Sequence, residues 1–402
     1  MIENSIVYRN FKGKYEYLPL SRSKGSLIWD RDGKEYIDFS SGWNVTNLGW
    51  NHPEIAEAII EQTRKNVQGL LWGSDPIQEE YATALTSVLP KELNACIKET
   101  GGTEAIEVSI KVARVYTKRE KIIGFNGTYH GQLFASLALG APAESRGKLN
   151  PIVPEIFPIE FPHEDIGQEG FKKFVTEFEN LLSKKDVAAV VTEPCMITGW
   201  GSGLIAYPGF LAKVRELTEK YGTLLIIDEV GTGFSRTGKL FGIQHENVLP
   251  DMIIFAKGIS NGASAIATVV GKSEIFKPAF DDAVLISTFG WTPIACAAAL
   301  KTLQIHLRDK TWEIAEKKGE YIVNRLNEYI GDKVISVRGM GMEIGVRFKD
   351  AETCKKVQMA SFADGLHVVV GSKNNMQIMP PLTISQELID KGLEILINHI
   401  KN

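Results

Sequence analysis

A lysine at the carboxyl end of an apolar run is costly to desolvate unless something uses it. Met252-Ile253-Ile254-Phe255 is such a run, and Lys257 stands just beyond it. Carboxylates stand at equivalent places: Asp228 closes Thr223-Leu224-Leu225-Ile226-Ile227, and Glu193 closes Ala188-Ala189-Val190-Val191-Thr192. Two glycine-bearing stretches accompany them. Thr100-Gly101-Gly102-Thr103 precedes a helical pattern, and Asn126-Gly127-Thr128-Tyr129-His130-Gly131 follows the apolar run Lys121–Phe125. Taken singly, each has an ordinary reading: a salt-bridged lysine, a turn aspartate, an N-cap threonine, core aromatics.

Together they describe one ligand. Glycines at a helix start expose backbone N–H groups, and the helix dipole favours an anion such as phosphate. An aromatic side chain stacks on a ring, a carboxylate holds a protonated ring nitrogen, and a lysine condenses with an aldehyde. Pyridoxal 5'-phosphate requires this set. The lysine forms a Schiff base and needs a lowered pKa, which a desolvated strand end supplies. Asp228 keeps the pyridine nitrogen protonated, so that the ring absorbs the electrons left when a substrate Cα–H bond breaks. Lysine released from the Schiff base then moves that proton as general base and acid.

These residues must be positioned by a sheet. Lys121–Phe125, 188–193, 223–228, 252–255 and 267–271 are continuous apolar runs rather than alternating ones, as in strands covered on both faces. Helical stretches over 104–118 and 208–221 lie between them, so the pattern is α/β with a largely parallel sheet. Open sheets of this kind bind ligands at the carboxyl ends of their strands. After about residue 305 the texture changes to helices near 311–331 and 385–400 flanking short strands, VISVRG, EIGVRF, LHVVV and MQIM. The stretch SLIWDRDGKEYIDF reads as a hairpin around Asp32-Gly33. The expected layout is a large domain over 46–305 and a smaller α+β domain built from 1–45 and 306–402.

Composition narrows the partners. With 402 residues, 44% apolar and 23% charged, the chain has the balance of a globular protein with a large core. A formal charge of −4 leaves no basic footprint for nucleic acid. No apolar run approaches the roughly 20 residues that cross a bilayer, and MIENSIVYRNFKGKYEYLPL lacks the layout of a signal peptide. Cys96, Cys195, Cys296 and Cys354 are far apart, which suits free thiols better than disulfides or a metal site. The expected location is cytoplasmic, and no metal constellation is found.

The sequence resembles the class III aminotransferases of the fold-type-I pyridoxal-phosphate enzymes over nearly its whole length. The resemblance runs from Ser41-Gly42-Trp43-Asn44-Val45 to Met379-Pro380-Pro381-Leu382, through GGTEAIE, GTYHG, TEP, LLIIDEVGTGFSRTGKLFG, PIACAAAL and VRGMGMEIGV. It implies that Gly102 and Thr103 bind the phosphate, that Tyr129 and Val230 pack on opposite ring faces, and that Asp228 and Lys257 are the nitrogen partner and the Schiff-base lysine. Thr288 matches a threonine that reaches the neighbouring subunit's phosphate, which implies a homodimer with active sites at the interface. Glu193 matches a glutamate near the cofactor. The implied reaction moves an amino group from a small-molecule donor to a 2-oxo acid such as pyruvate, or to an aldehyde.

Departures from the family pattern bear on the substrate. Many members carry glutamine where this chain has Gly231, and the usual Gly-Asn-Pro is Trp291-Thr292-Pro293. Members acting on glutamate or ornithine often have a carboxylate-gripping arginine before Pro-Pro-Leu, where this chain has Gln377; the glutamate that pairs with it falls near Thr198. Trp43, Trp72, Trp200 and Trp291 are candidates for the pocket wall, and Arg22 or Arg236 for a replacement cation. The donor expected is therefore an apolar or aromatic amine or a neutral amino acid. Two rivals stay open: an aminomutase, racemase or epimerase with the same lysine and aspartate, and a non-catalytic binding protein, against which the pair argues.

Overall fold

The structure is a computed structural model describing residues 18–68, 73–140, 149, 153–199, 203–282, 285–329, 331–371 and 374–402. Most of the amino-terminal stretch read for a leader, together with Trp72 and Trp200, lies outside the described residues.

Seven strands form the central sheet, in the order Ala95–Glu99, Ala267–Gly271, Met252–Phe255, Leu224–Asp228, Val187–Thr192, Lys121–Phe125, Ile156–Ile159. The last five run parallel, and Ala267–Gly271 is antiparallel to both of its neighbours. The three central strands are buried along their whole length, which is why their sequences do not alternate. On one face the helix Gly102–Thr117 packs Ala105, Ile106, Ile110, Val112 and Ala113 against Ile226, Ile254 and Val269. On the other, Phe125, Phe161, Phe178 and Phe210 join the helices Gly167–Leu182 and Phe210–Tyr221. Each such isoleucine, valine or phenylalanine contributes about 1.5–3 kcal/mol by leaving water.

The hairpin Leu27–Asp30 and Glu35–Asp38 pairs antiparallel, and Leu366–His367 adds to it in parallel, so the two ends of the chain share one sheet. A second antiparallel sheet holds Val334–Met340, Glu343–Phe348, Asn375–Ile378 and Val369–Val370. Its register sets Gln377 opposite Gly345, with Glu343 at the start of the neighbouring strand. Phe39, Ile344, Leu382 and Leu393 share the core behind it.

A buried arginine ties these parts together. Arg236 donates to the carbonyls of Met342 (3.1 Å) and Pro380 (2.8 Å), and to Ser41 Oγ (3.3 Å) and Asn47 Oδ1 (2.7 Å). Burial pulls its pKa down to about 10, so it stays charged at neutral pH. The segment it anchors is strained: Ser41, Gly42, Trp43 and Asn44 have φ of 49°, 59°, 67° and 63°. Each non-glycine residue there costs on the order of 1 kcal/mol, and such strain persists only where the surroundings over-determine it. Asp38 accepting from Ser40 and Ser41, and Ser41 Oγ donating to the Met379 carbonyl (2.6 Å), do so.

Candidate active site

The carboxyl edge of the sheet gathers the residues singled out above. A cavity of about 340 Å³ is lined by Val45, Thr100, Gly102, Thr103, Tyr129, His130, Asp228, Val230, Lys257 and the segment Ser264–Ile266. Strand direction explains the gathering. Four parallel strands deliver Thr100, Thr128–His130, Asp228 and Lys257 from their carboxyl ends, while the reversed strand brings 264–266 from its amino end.

Gly101 caps the helix Gly102–Thr117, and Glu104 folds back to accept from the amides of Thr100 (3.1 Å) and Gly101 (3.2 Å). The next N–H groups, of Gly102 and Thr103, have no intrahelical acceptor and face the cavity end. A Cβ on Gly102 would approach Val230 Cγ2 at 3.2 Å, and one on Gly131 (φ 136°) would overlap Thr103. Bare backbone is needed at Gly131, and at Gly102 a side chain would press on Val230.

Asp228 is buried and engaged on both oxygens. Oδ1 accepts from the Val230 amide (2.8 Å), and Oδ2 lies 2.6 Å from His130 Nδ1. An ionised carboxylate only accepts, so Nδ1 carries the proton. His130 Nε2, also buried, has no partner among the described residues. Lys257 is half-buried with φ of 47°, at the start of a short 3-10 turn after the strand. Tyr129 is 37% exposed and borders the cavity.

Behind Asp228, Glu193 accepts from the Thr198 amide (2.8 Å) and hydroxyl (2.5 Å). Burial, and then the charge of Asp228, raise its pKa. Thr198 also accounts for the glycine that departs from the family pattern. A Cβ on Gly231 would overlap Thr198 Oγ1, so a glutamine does not fit there. Gln377 donates to the Thr198 carbonyl (3.2 Å) and to Glu343 Oε1 (3.1 Å). The two positions where an ion-paired switch was looked for therefore touch each other as a neutral pair.

Other sequence candidates fall elsewhere. Trp291 does not border this cavity: it is 2% exposed, packed on Tyr81 at 5.0 Å, with its indole N–H donated to the Ala267 carbonyl (2.8 Å). A nonpolar ring in the hydrophobic core is the ordinary fate of such a tryptophan. Trp43 is half-buried beside Val45 and does not line the cavity wall. Arg236 spends its terminal N–H groups on structural bonds, with Nε unpartnered among the described residues, and Arg22 lies over the Trp29 ring at 4.1 Å; neither lines the cavity. Thr288 is exposed, next to Phe289 (62% exposed). His130 as partner of Asp228, Asn44, Thr198 and Glu343 were not assigned roles from sequence. Only the tertiary contacts single them out; the run GTYHG was the one local hint for His130.

The family described as "Aminotransferase class-III" matches residues 10–400. An acetylornithine aminotransferase of Methanopyrus kandleri is 36% identical over 381 residues, covering 94% of this chain and 93% of that protein. An ornithine aminotransferase structure from Toxoplasma gondii, whose active site holds partly occupied pyridoxal phosphate, superposes with a TM-score of 0.89 at 25% identity, over 98% of this chain and 92% of that one. An (S)-enantioselective omega-transaminase from Thermomicrobium roseum does so with 0.86 at 30% identity, over 96% and 93%.

Proposed function

The chain belongs to the class III aminotransferases and is a pyridoxal-phosphate-dependent transaminase; on that premise we propose that Lys257 holds the cofactor covalently and that the donor is an amine or neutral amino acid. The residues present fit the cofactor. Unsatisfied N–H groups at Gly102 and Thr103 suit its phosphate, and Tyr129 and Val230 suit the two ring faces. Asp228, locked by Val230 and His130, suits the ring nitrogen. When bound, the cofactor supplies an electron sink for the donor's Cα.

The chain's own residues do the rest. Asp228 holds the proton on the ring nitrogen. Lys257 Nζ, freed by the incoming donor, would take the proton from the donor's Cα and deliver it to the cofactor's carbon on the other side of the amino nitrogen. Glu193 sits behind this pair, where it shapes the field without itself lining the cavity. Thr288 completes a neighbouring subunit's phosphate site in a homodimer. Cytoplasmic location and domain boundaries near 45 and 305 are parts of the same reading.

The observation that carries the substrate reading is Gln377. A neutral amide bound to the Thr198 carbonyl cannot offer a carboxylate the bidentate fork of an arginine. We therefore place ornithine, acetylornithine and 4-aminobutyrate below apolar or aromatic amines and neutral amino acids as donors, with pyruvate or another oxo compound as acceptor. The test is a donor panel added to holoenzyme without acceptor, read by the cofactor's absorbance. A transaminase retains the amino group after donor alone; a racemase or mutase does not. Highest kcat/KM with ornithine or 4-aminobutyrate would sink the substrate reading. Borohydride should fix the cofactor on Lys257 and fail to do so in Lys257→Ala.

A further inference from the structure

Next to the phosphate corner lies a carboxyl with no role in the account above. Glu99 ends the strand Ala95–Glu99, directly before the cavity-lining Thr100, and is 4% exposed. Side chains alternate along a strand, so Glu99 shares the face of Ile97, which joins Ile106, Ile110 and Ala113 of the helix Gly102–Thr117 in one core. The groups that face it are Glu104 and Lys111 of that helix and Ser287, whose hydroxyl donates to it. Burial, and then the charge of Glu104, push the Glu99 carboxyl up to about 7; Ser287 and Lys111 favour the ionised form and offset only part of this.

Ser287 ties this carboxyl to the loop that carries Thr288. Of residues 286–289, Ser287 alone is half-buried; Ile286 and Phe289 are 66% and 62% exposed, and Thr288 is exposed between them. The loop returns inward at Gly290, where a Cβ would come within 2.6 Å of the Lys98 carbonyl, and at Trp291, held by the Ala267 carbonyl and Gln78. One strand end, residues 98–100, therefore borders both the helix start of this subunit and the root of the loop assigned to its neighbour's phosphate.

Charge couples the two. Glu104 accepts from the Thr100 and Gly101 amides, and from there its charge reaches Glu99. A phosphate on the next two amides, Gly102 and Thr103, brings on the order of two negative charges into the same turn and acts with the same sign. Lys257 is the one lysine or arginine among the described residues of the cavity lining, so no guanidinium or second ammonium there offsets the phosphate. We propose that Glu99 is a proton-linked positioning residue: it takes up a proton from solvent when a phosphate ester fills the corner, and it keeps Ser287, hence Thr288, in place. The protonated carboxyl still accepts from Ser287 through its carbonyl oxygen and no longer repels the ligand. This rests on reading Gly102 and Thr103 as the phosphate site.

The test titrates pyridoxamine 5'-phosphate, which has no aldehyde for Lys257, into cofactor-free protein at about pH 7.5. Calorimetry in two phosphate-free buffers of different ionisation enthalpy counts the protons taken up, and the ligand's own protons cancel between variants. Wild type should take up about half a proton more than Glu99→Gln, as a group near 7 does when its value rises by one unit. A pKa that is higher in the bound state weakens binding as pH rises. Wild-type affinity should therefore fall up to about tenfold more than that of Glu99→Gln between about pH 6 and 9. With phosphate-free pyridoxamine the two proteins should not differ. Ser287→Ala leaves the carboxyl in place and raises its proton occupancy beforehand, so its uptake should be smaller than that of wild type; this comparison stands even where Glu99→Gln does not fold. At about pH 6, where the carboxyl is protonated in both, Ser287→Ala should bind the ester about threefold more weakly, the size of one lost hydrogen bond. Tight binding with equal proton counts across wild type and variants overturns the role of Glu99, as does a difference that pyridoxamine reproduces. An uptake and affinity that Ser287→Ala leaves unchanged remove the link to the Thr288 loop. A wild type that binds no pyridoxamine 5'-phosphate sinks the cofactor reading itself.

Discussion

Gly231→Ala should be among the most destabilising single-methyl additions in this protein, because of Thr198. A Cβ at position 231 would overlap Thr198 Oγ1 and stand 3.0 Å from its Cβ and 3.3 Å from its Cγ2. Thr198 is 4% exposed, and its hydroxyl donates to buried Glu193 at 2.5 Å. The loop cannot simply retreat, since Gly199 is pressed against the Tyr129 backbone so closely that a Cβ there would overlap the amide. Overpacking of this kind costs about 1–3 kcal/mol. Turning the hydroxyl away forfeits a hydrogen bond to a charged group, about 1.5–3 kcal/mol. Together about 4 kcal/mol is expected for Gly231→Ala and about 2 kcal/mol for Thr198→Ala, which loses the bond alone. In the double variant the overlap disappears, so its cost should stay near that of Thr198→Ala. The coupling energy, about 2 less 4 less 2, is then negative by roughly 4 kcal/mol, where unconnected sites add within about 0.5 kcal/mol. Urea unfolding of the four holoproteins at one protein and cofactor concentration measures it. Additive costs would show that Thr198 is not what makes position 231 a glycine.

Asp228→Asn keeps size but removes the charge held by His130 and Val230; turnover should fall by about 3 kcal/mol, a hundredfold or more, with cofactor affinity changing far less. Single-turnover rates beside cofactor titration check it, and equal mild losses in both would make Asp228 structural. Burial first of all holds the Glu343 carboxyl up to about 7 against an ordinary 4.5. A folded-state value above the unfolded one favours the protonated folded form, so stability should decline as pH rises from about 4.5 to about 7 and level off above. Thermal midpoints across that window should show a shallower decline in Glu343→Gln; an unchanged slope would refute the assignment. Thr288→Ala should weaken cofactor binding while sedimentation still shows a dimer, and a fully active wild-type monomer would contradict the shared site.

Much of the site was legible because it is written in strand ends. Asp228 and Lys257 each close a continuous apolar run, and runs of that kind become parallel strands whose carboxyl ends share one edge. Gly102 and Thr103 open a helix whose amphipathic spacing was equally plain. Local periodicity and turn chemistry depend on neighbours in sequence, so they survive without knowledge of the fold. Trp291 shows the limit. Its type suggested a pocket wall, but whether a ring faces a cavity or Tyr81 depends on partners far away in the chain.

The amino-acid sequence alone determined the α/β order of elements, the lysine–aspartate pair and the helix start that suits a phosphate, all set by short-range pattern. Only the tertiary structure decided the pairing of His130 with Asp228, the exclusion of a side chain at Gly231 by Thr198, and the meeting of Asn44, Glu343 and Gln377. Those contacts join residues from three segments brought together by Arg236 and the antiparallel sheet, and no periodicity within any one segment encodes them. Burial then fixes what each group is, since a carboxyl shut away from water takes its charge from whatever the fold sets beside it.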